Sequence, residues 1–126
     1  MSSLSLMLGN EVFKAAIAVA PVTTWRYYDT IYTERYLQTP QLNPSGYDDY
    51  SPITHVDRLK GRFLLIHGTG DDNVHFQNAV DLVDALIGAD RPFETFYYPN
   101  RNHSISGGNT SYYLYRQMAD FIKENL

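Results

Sequence analysis

The sequence predicts an α/β fold built on a parallel sheet. Three short segments read as buried strands, two of them are apolar without alternation, and a helical pattern separates the second from the third. Strands that are apolar on both faces belong to a parallel sheet covered by helices on each side. Strand, helix and strand in succession then imply right-handed crossovers.

The elements follow in order. MSSLSLMLGN reads as an amphipathic helix with Leu4, Met7 and Leu8 inward, and nothing ahead of Ser2 or Ser3 sets up its start, as in a helix cut partway along. Ala15 to Pro21 (AAIAVAP) is the first strand. Residues 24 to 37 and 53 to 60 read as short helices, and Gln38 to Tyr50, with Pro40, Pro44 and Gly46, reads as a surface excursion between them. Arg62 to His67 (RFLLIH) is the second strand. Phe76, Val80, Val83 and Ile87 then share one face of a helix that Gly88 is placed to end. Phe93 to Pro99 (FETFYYP) is the third strand. The last helix is capped near Asn109 to Ser111, buries Leu114, Met118, Phe121 and Ile122, and closes on the charged end Lys123 to Leu126. Three strands leave the first one with an unpaired apolar edge, so part of the domain is expected upstream.

Composition sets the class. With 126 residues, 44% of them hydrophobic, and a net charge of -4 from 10 basic and 14 acidic side chains, the chain is ordinary globular material of at most one domain. Scattered charge gives no footprint for nucleic acid, and no apolar run is long enough for a membrane helix. Cysteine is absent, which excludes disulfides, thiolate catalysis and Cys-based zinc sites. His55, His67, His75 and the Asp71–Asp72 pair lack the spacing of a helical metal site, so no metal and no cofactor are expected. The 11 tyrosines exceed what a small core requires and suggest a lined pocket or recognition surface.

In open parallel sheets the working residues gather at the carboxyl ends of strands. After the second strand comes HGTGDDNVHFQ, which presents Asp71 and Asp72 just before a helix. Such an Asp either caps the helix or orients a histidine. After the third strand comes YPNRNHSISGG, which places His103 at the same sheet edge. Carboxylate and imidazole on neighbouring loops are the acid and base of a hydrolytic triad, in the order nucleophile, acid, base that α/β-hydrolases follow. No G-x-S-x-G turn occurs in the chain, and Ser104 and Ser106 stand in the wrong context to replace it. Alone, Asp71 is more commonly a cap, His103 a surface residue, and the Trp25, Tyr28, Tyr32, Tyr36 stripe core packing.

Three segments carry a resemblance: PVTTWRYYDTIYTERY at Pro21 to Tyr36, HGTGDDNVHFQ, and NHSI at Asn102 to Ile105. Taken in order over essentially the whole chain, they resemble the C-terminal catalytic region of the dipeptidyl-peptidase IV branch of the prolyl oligopeptidase family. The resemblance implies the C-terminal half of an α/β-hydrolase fold over residues 1–126, beginning just downstream of a GWSYGG-like serine motif. It implies Asp71 as triad acid, in preference to Asp72, and His103 as triad base. Tyr28 and Tyr32 match tyrosines that wall the pocket for the substrate's penultimate proline, with Trp25, Val22 and Val74 completing its lining, and Asn73 matches a side chain that bonds a substrate carbonyl. Ser104 stands where the family often has Gly, and Gln38 to Tyr50 does not align closely.

The implied activity is release of N-terminal dipeptides with Pro or Ala second, through an acyl-enzyme, by a parent protein that is periplasmic or extracellular. The fragment alone is expected to be inactive. Its implied partners are a peptide substrate, the missing N-terminal part of the catalytic domain and a propeller domain, with a homodimer as a further possibility. Two alternatives stay open: a non-catalytic half-domain that self-associates through its sheet edge, and another α/β-hydrolase such as an acyl-aminoacyl peptidase or esterase.

Overall fold

The computed structural model describes residues 7–9 and 12–126. Its centre is a three-stranded parallel sheet in the order β1 (Ala15–Val19), β2 (Arg62–Gly68), β3 (Glu94–Tyr98). Ala15 lies opposite Arg62, and Leu64 opposite Glu94, so the strands end nearly level. The middle strand is buried from Phe63 to Gly68, which is why its sequence shows no polar alternation. β1 stops at Val19 and β3 at Tyr98, short of Pro21 and Pro99; Ala20, at a φ of 47, already turns the chain away.

Each face of the sheet has its own core. On one side Phe63, Leu65 and Ala18 pack against Ala79, Leu82 and Leu86 of helix α3 (Gln77–Gly88) and against Leu59, with Met7 fully buried among them. On the other, Leu64, Ile66 and Tyr98 meet Leu114 and Phe121 of helix α4 (Thr110–Asn125), with Met118 partly buried beside them. The alternation along β2 therefore sends Phe63, Leu65 and His67 to the α3 face and Leu64 and Ile66 to the α4 face.

Several sequence expectations need correcting. Leu8 is 48% exposed rather than inward, and Leu4 lies outside the described residues. In α3, Val80 (40%) and Ile87 (65%) face outward, and the helix buries Asn78, Ala79, Leu82 and Leu86 instead. The sequence carries two adjacent apolar stripes, and a tether chooses between them. Fully buried Thr23 donates from its backbone N to Asn78 Oδ1 (3.1 Å) and from its hydroxyl to the Asn78 carbonyl (2.7 Å), which fixes the helix rotation. In α4, Ile122 is 46% exposed because it sits at the margin of the Leu114, Met118, Phe121 stripe. Asn109 occupies the cap position of α4 but makes no side-chain cap bond.

The segment 24 to 37 is not one helix. A 3-10 turn at Trp25–Tyr27 is followed by α1 (Thr30–Leu37), whose N-cap Asp29 accepts from the Tyr32 backbone N at 2.8 Å. Gln38 to Tyr50 is more than a surface excursion. It holds helix α2 (Pro44–Asp49), capped by Asn43 Oδ1 on the Gly46 N–H (3.1 Å), and buries Tyr47, whose hydroxyl donates to the Gln38 carbonyl (2.6 Å). A 3-10 stretch, Pro52–Arg58, leads into β2.

Candidate active site

The β2–α3 and β3–α4 loops leave the sheet side by side, because His67 pairs with Tyr97 and Gly68 with Tyr98. Two backbone bonds and one to a side chain stitch them together: Thr69 N to Tyr98 O (3.0 Å), Gly70 N to Arg101 O (3.1 Å), and Asn100 N to the Thr69 hydroxyl Oγ1 (2.8 Å). Gly68 makes this approach possible, since a Cβ there would lie 2.2 Å from the Arg101 carbonyl oxygen. At the far end of the second loop Ile105 is buried at a φ of 45, a costly conformation for a β-branched residue, held by its packing with Tyr98 and Leu114 and by its N–H on Asn102 O (3.1 Å).

This stitching brings Asp71 to His103. The ring nitrogen Nδ1 of His103 lies 2.8 Å from Asp71 Oδ2. Asp71's side chain is fully buried, while that of His103 is 45% exposed. Asp71 Oδ1 accepts from the backbone N–H groups of Asn73 and Val74, both at 2.9 Å. Asp71 does not cap the helix, which starts at Gln77 behind Phe76; one of its oxygens ties down its own loop and the other meets an imidazole. Burial alone would raise its pKa. The His103 hydrogen bond and the Val74 and Asn73 amides outweigh that and hold the carboxyl below the ordinary carboxylate range. An anion at Oδ2 fixes the proton of neutral His103 on Nδ1, leaving Nε2 as a lone-pair base on the half-exposed ring. Asp72 is exposed.

The aromatic stripe is a ladder of rings on the surface beside this pair. Trp25 meets Tyr28 edge-on at 6.1 Å between centroids, Tyr28 meets Tyr32 at 5.4 Å, and Tyr32 meets Tyr36 at 5.1 Å. Tyr32 is 49% and Tyr36 66% exposed, so the stripe is not core packing. Trp25 is anchored by its Nε1–H on the Tyr50 carbonyl (3.1 Å). The Tyr28 hydroxyl reaches Asn73 Oδ1 at 3.4 Å, which joins the ladder to the loop of Asp71. Val74 is buried within that loop, and Val22 is half-buried three residues before Trp25.

Other groups tie the two halves together and were not legible as site residues. Tyr27 donates to Asp81 Oδ2 (2.6 Å), and Thr23 bonds Asn78, so the ladder segment is pinned to α3 by groups 54 and 55 positions away. His67 is fully buried, with Nε2 2.8 Å from the Val74 carbonyl and 3.3 Å from Asp71 Oδ2. A histidine ending an apolar strand was the one signal for it. The hollow lined by Leu64, Glu94, Arg116 and Asp120 lies beside α4 and is separate from this cluster.

The family model of the prolyl oligopeptidase family matches residues 1–126. The chain is 46% identical over 116 residues to a protein of Coccidioides posadasii named "Probable dipeptidyl-aminopeptidase B", covering 90% of this chain and 12% of that one. It is 42% identical over 127 residues to dipeptidyl peptidase 4 of Felis catus, covering 98% of this chain and 17% of the other. The crystal structure of Porphyromonas gingivalis dipeptidyl peptidase 4 superposes with a TM-score of 0.96 at 48% identity, over 98% of this chain and 18% of that one. The chain thus spans less than a fifth of the length of these relatives.

Proposed function

Since the chain belongs to the prolyl oligopeptidase family, we propose that it carries the acid and base of a serine peptidase that releases N-terminal dipeptides with Pro or Ala in second place. The observation that carries this reading is the 2.8 Å contact between His103 Nδ1 and the buried Asp71 carboxylate. In the proposed reaction His103 Nε2 takes the proton of a serine hydroxyl supplied by sequence outside this chain. The serine oxygen bonds to the carbonyl carbon of the substrate's second residue. The protonated Nε2 then returns its proton to the leaving amine as the peptide C–N bond breaks and an acyl-enzyme forms. Water, deprotonated by the same nitrogen, hydrolyses the acyl-enzyme and frees the dipeptide. Asp71 holds the ring and stabilises the transient imidazolium.

The edge-to-face rings of half-buried Tyr28 and exposed Tyr32, with Trp25, Val22 and Val74, suit a pyrrolidine ring, which is compact, apolar and without an N–H to satisfy. Asn73 is the group proposed to bond a substrate carbonyl. The intact protein that contains this chain is expected to hydrolyse a Gly-Pro arylamide and to prefer it to simple esters, and the 126-residue chain alone is expected to show no turnover. An intact protein that cleaves the esters and spares the Gly-Pro amide would overturn the assignment in favour of another α/β-hydrolase activity.

One observation favours a second reading for the isolated chain. β1 pairs on one side only among the described residues, and Val19 at its end is 39% exposed, so two copies could join by edge pairing. Sedimentation of the chain as a monomer at high concentration would remove that reading.

A further inference from the structure

His67 is a buried titratable group to which the proposed reaction gives no role. Its ring follows Phe63 and Leu65 onto the α3 face, packs edge-on against Phe76 at 5.7 Å, and is fully buried. Both neighbours of its Nε2, the Val74 carbonyl at 2.8 Å and Asp71 Oδ2 at 3.3 Å, are acceptors. Among the described residues its Nδ1 has no hydrogen-bond partner. Two acceptors at one nitrogen require the N–H there, and an unpartnered buried nitrogen is tolerated more cheaply as a lone pair than as an N–H. The ring is therefore the Nε2–H tautomer and neutral.

We propose that His67 is a positioning residue for the triad: its Nε2–H, held on Val74 O and 3.3 Å from Asp71 Oδ2, is a second imidazole contact on the oxygen that His103 uses and limits how far Oδ2 can turn. Oδ1 is held by two amides of its own loop, whereas among the described residues the polar neighbours of Oδ2 are the two imidazoles. Without His67 the carboxylate can rotate about its Oδ1 anchor, and the direction in which it presents Oδ2 to His103 is lost. The titratable groups acting on His67 are Asp71 from the β2–α3 loop and His103 from the β3–α4 loop; its ring packs against Phe76, just ahead of α3, and its backbone pairs with Tyr97 of β3. Burial pushes its pKa down, and the Val74 carbonyl and Asp71 pull upward without overcoming this, in accord with a neutral ring.

The effect on turnover rests on the peptidase reading; the tautomer and the contact do not. Nitrogen-15 NMR of the imidazoles in the unmutated chain at pH 7 is expected to show His67 as the neutral Nε2–H tautomer, and a charged ring or the Nδ1–H tautomer overturns the proposal whatever the fate of the variants. In the intact protein, His67→Leu is expected to lower kcat on the Gly-Pro amide about fivefold with KM unchanged, the fold-change one ordinary hydrogen bond represents. His67→Gln, whose side-chain amide can place an N–H where Nε2 stood, is expected to restore kcat to within about twofold of the parent. Equal losses in both variants would assign His67 to packing alone, and no loss in His67→Leu would remove the role. Should the intact parent not cleave the amide at all, the peptidase reading fails by itself. The downfield His103 Nδ1–H proton resonance then decides the positioning role: moved by Leu and restored by Gln it stands, unmoved by Leu it falls.

Discussion

Asp71→Asn perturbs the candidate site with almost no change of shape, and its cost can be worked from the contacts. Asn can keep its Oδ1 on the Asn73 and Val74 amides, which now sit at 2.9 Å from the aspartate oxygen. Its NH2 then replaces Oδ2, 2.8 Å from His103 Nδ1 and 3.3 Å from His67 Nε2. His103 must turn Nδ1 into an acceptor and move its proton to Nε2, while the His67 N–H meets a donor. The opposite amide orientation would face two backbone N–H groups and is worse. One hydrogen bond to a buried charge is lost, so a destabilisation of about 2 kcal/mol is expected. Urea unfolding of the chain at pH 7 should show it as a lower midpoint with an unchanged slope. In the intact protein kcat on a Gly-Pro amide should fall by about four orders of magnitude, since Nε2 can no longer accept a proton. A variant with the parent's midpoint and a kcat within tenfold of the parent's would refute the assignment of Asp71.

Three further outcomes are expected. Because the folded pKa of His67 lies below its ordinary value, the unfolded chain binds the extra proton first as pH falls. Stability is then full above about pH 6.5 and declines below it by up to about 1.4 kcal/mol per pH unit, a slope that His67→Gln should flatten in urea titrations; Asp71, with its lowered pKa, adds a second loss only below about pH 4. Gly68→Ala places a Cβ 2.2 Å from Arg101 O and should cost about 2 kcal/mol, whereas Gly88→Ala, with nothing within 4 Å, should stabilise by roughly half a kcal/mol; thermal melts of the pair separate close approach from glycine flexibility. Asn78→Ala leaves the buried Thr23 N–H without its acceptor, so a loss of about 2 kcal/mol is expected, together with faster hydrogen exchange at the Thr23 amide.

The site's main pair was legible in the sequence because both members follow strands. An apolar run such as RFLLIH names a strand, and the loop after it names the sheet edge, so Asp71 and His103 could be placed together without coordinates. The aromatic ladder was legible as a stripe, since Tyr28, Tyr32 and Tyr36 repeat at helical spacing. Its exposure was not, because periodicity shows that residues share a face without showing what that face meets.

What the sequence by itself determined is the set of elements, their order, and the two loops that carry Asp71 and His103, all of which depend on neighbours within a few residues. The tertiary structure alone decided the rest. Thr23 and Asn78, 55 positions apart, selected which apolar stripe of α3 turns inward. Tyr47 became core by reaching back to the Gln38 carbonyl. Each of these depends on the relative placement of segments, and a local pattern of polar and apolar residues carries no angle or distance between segments.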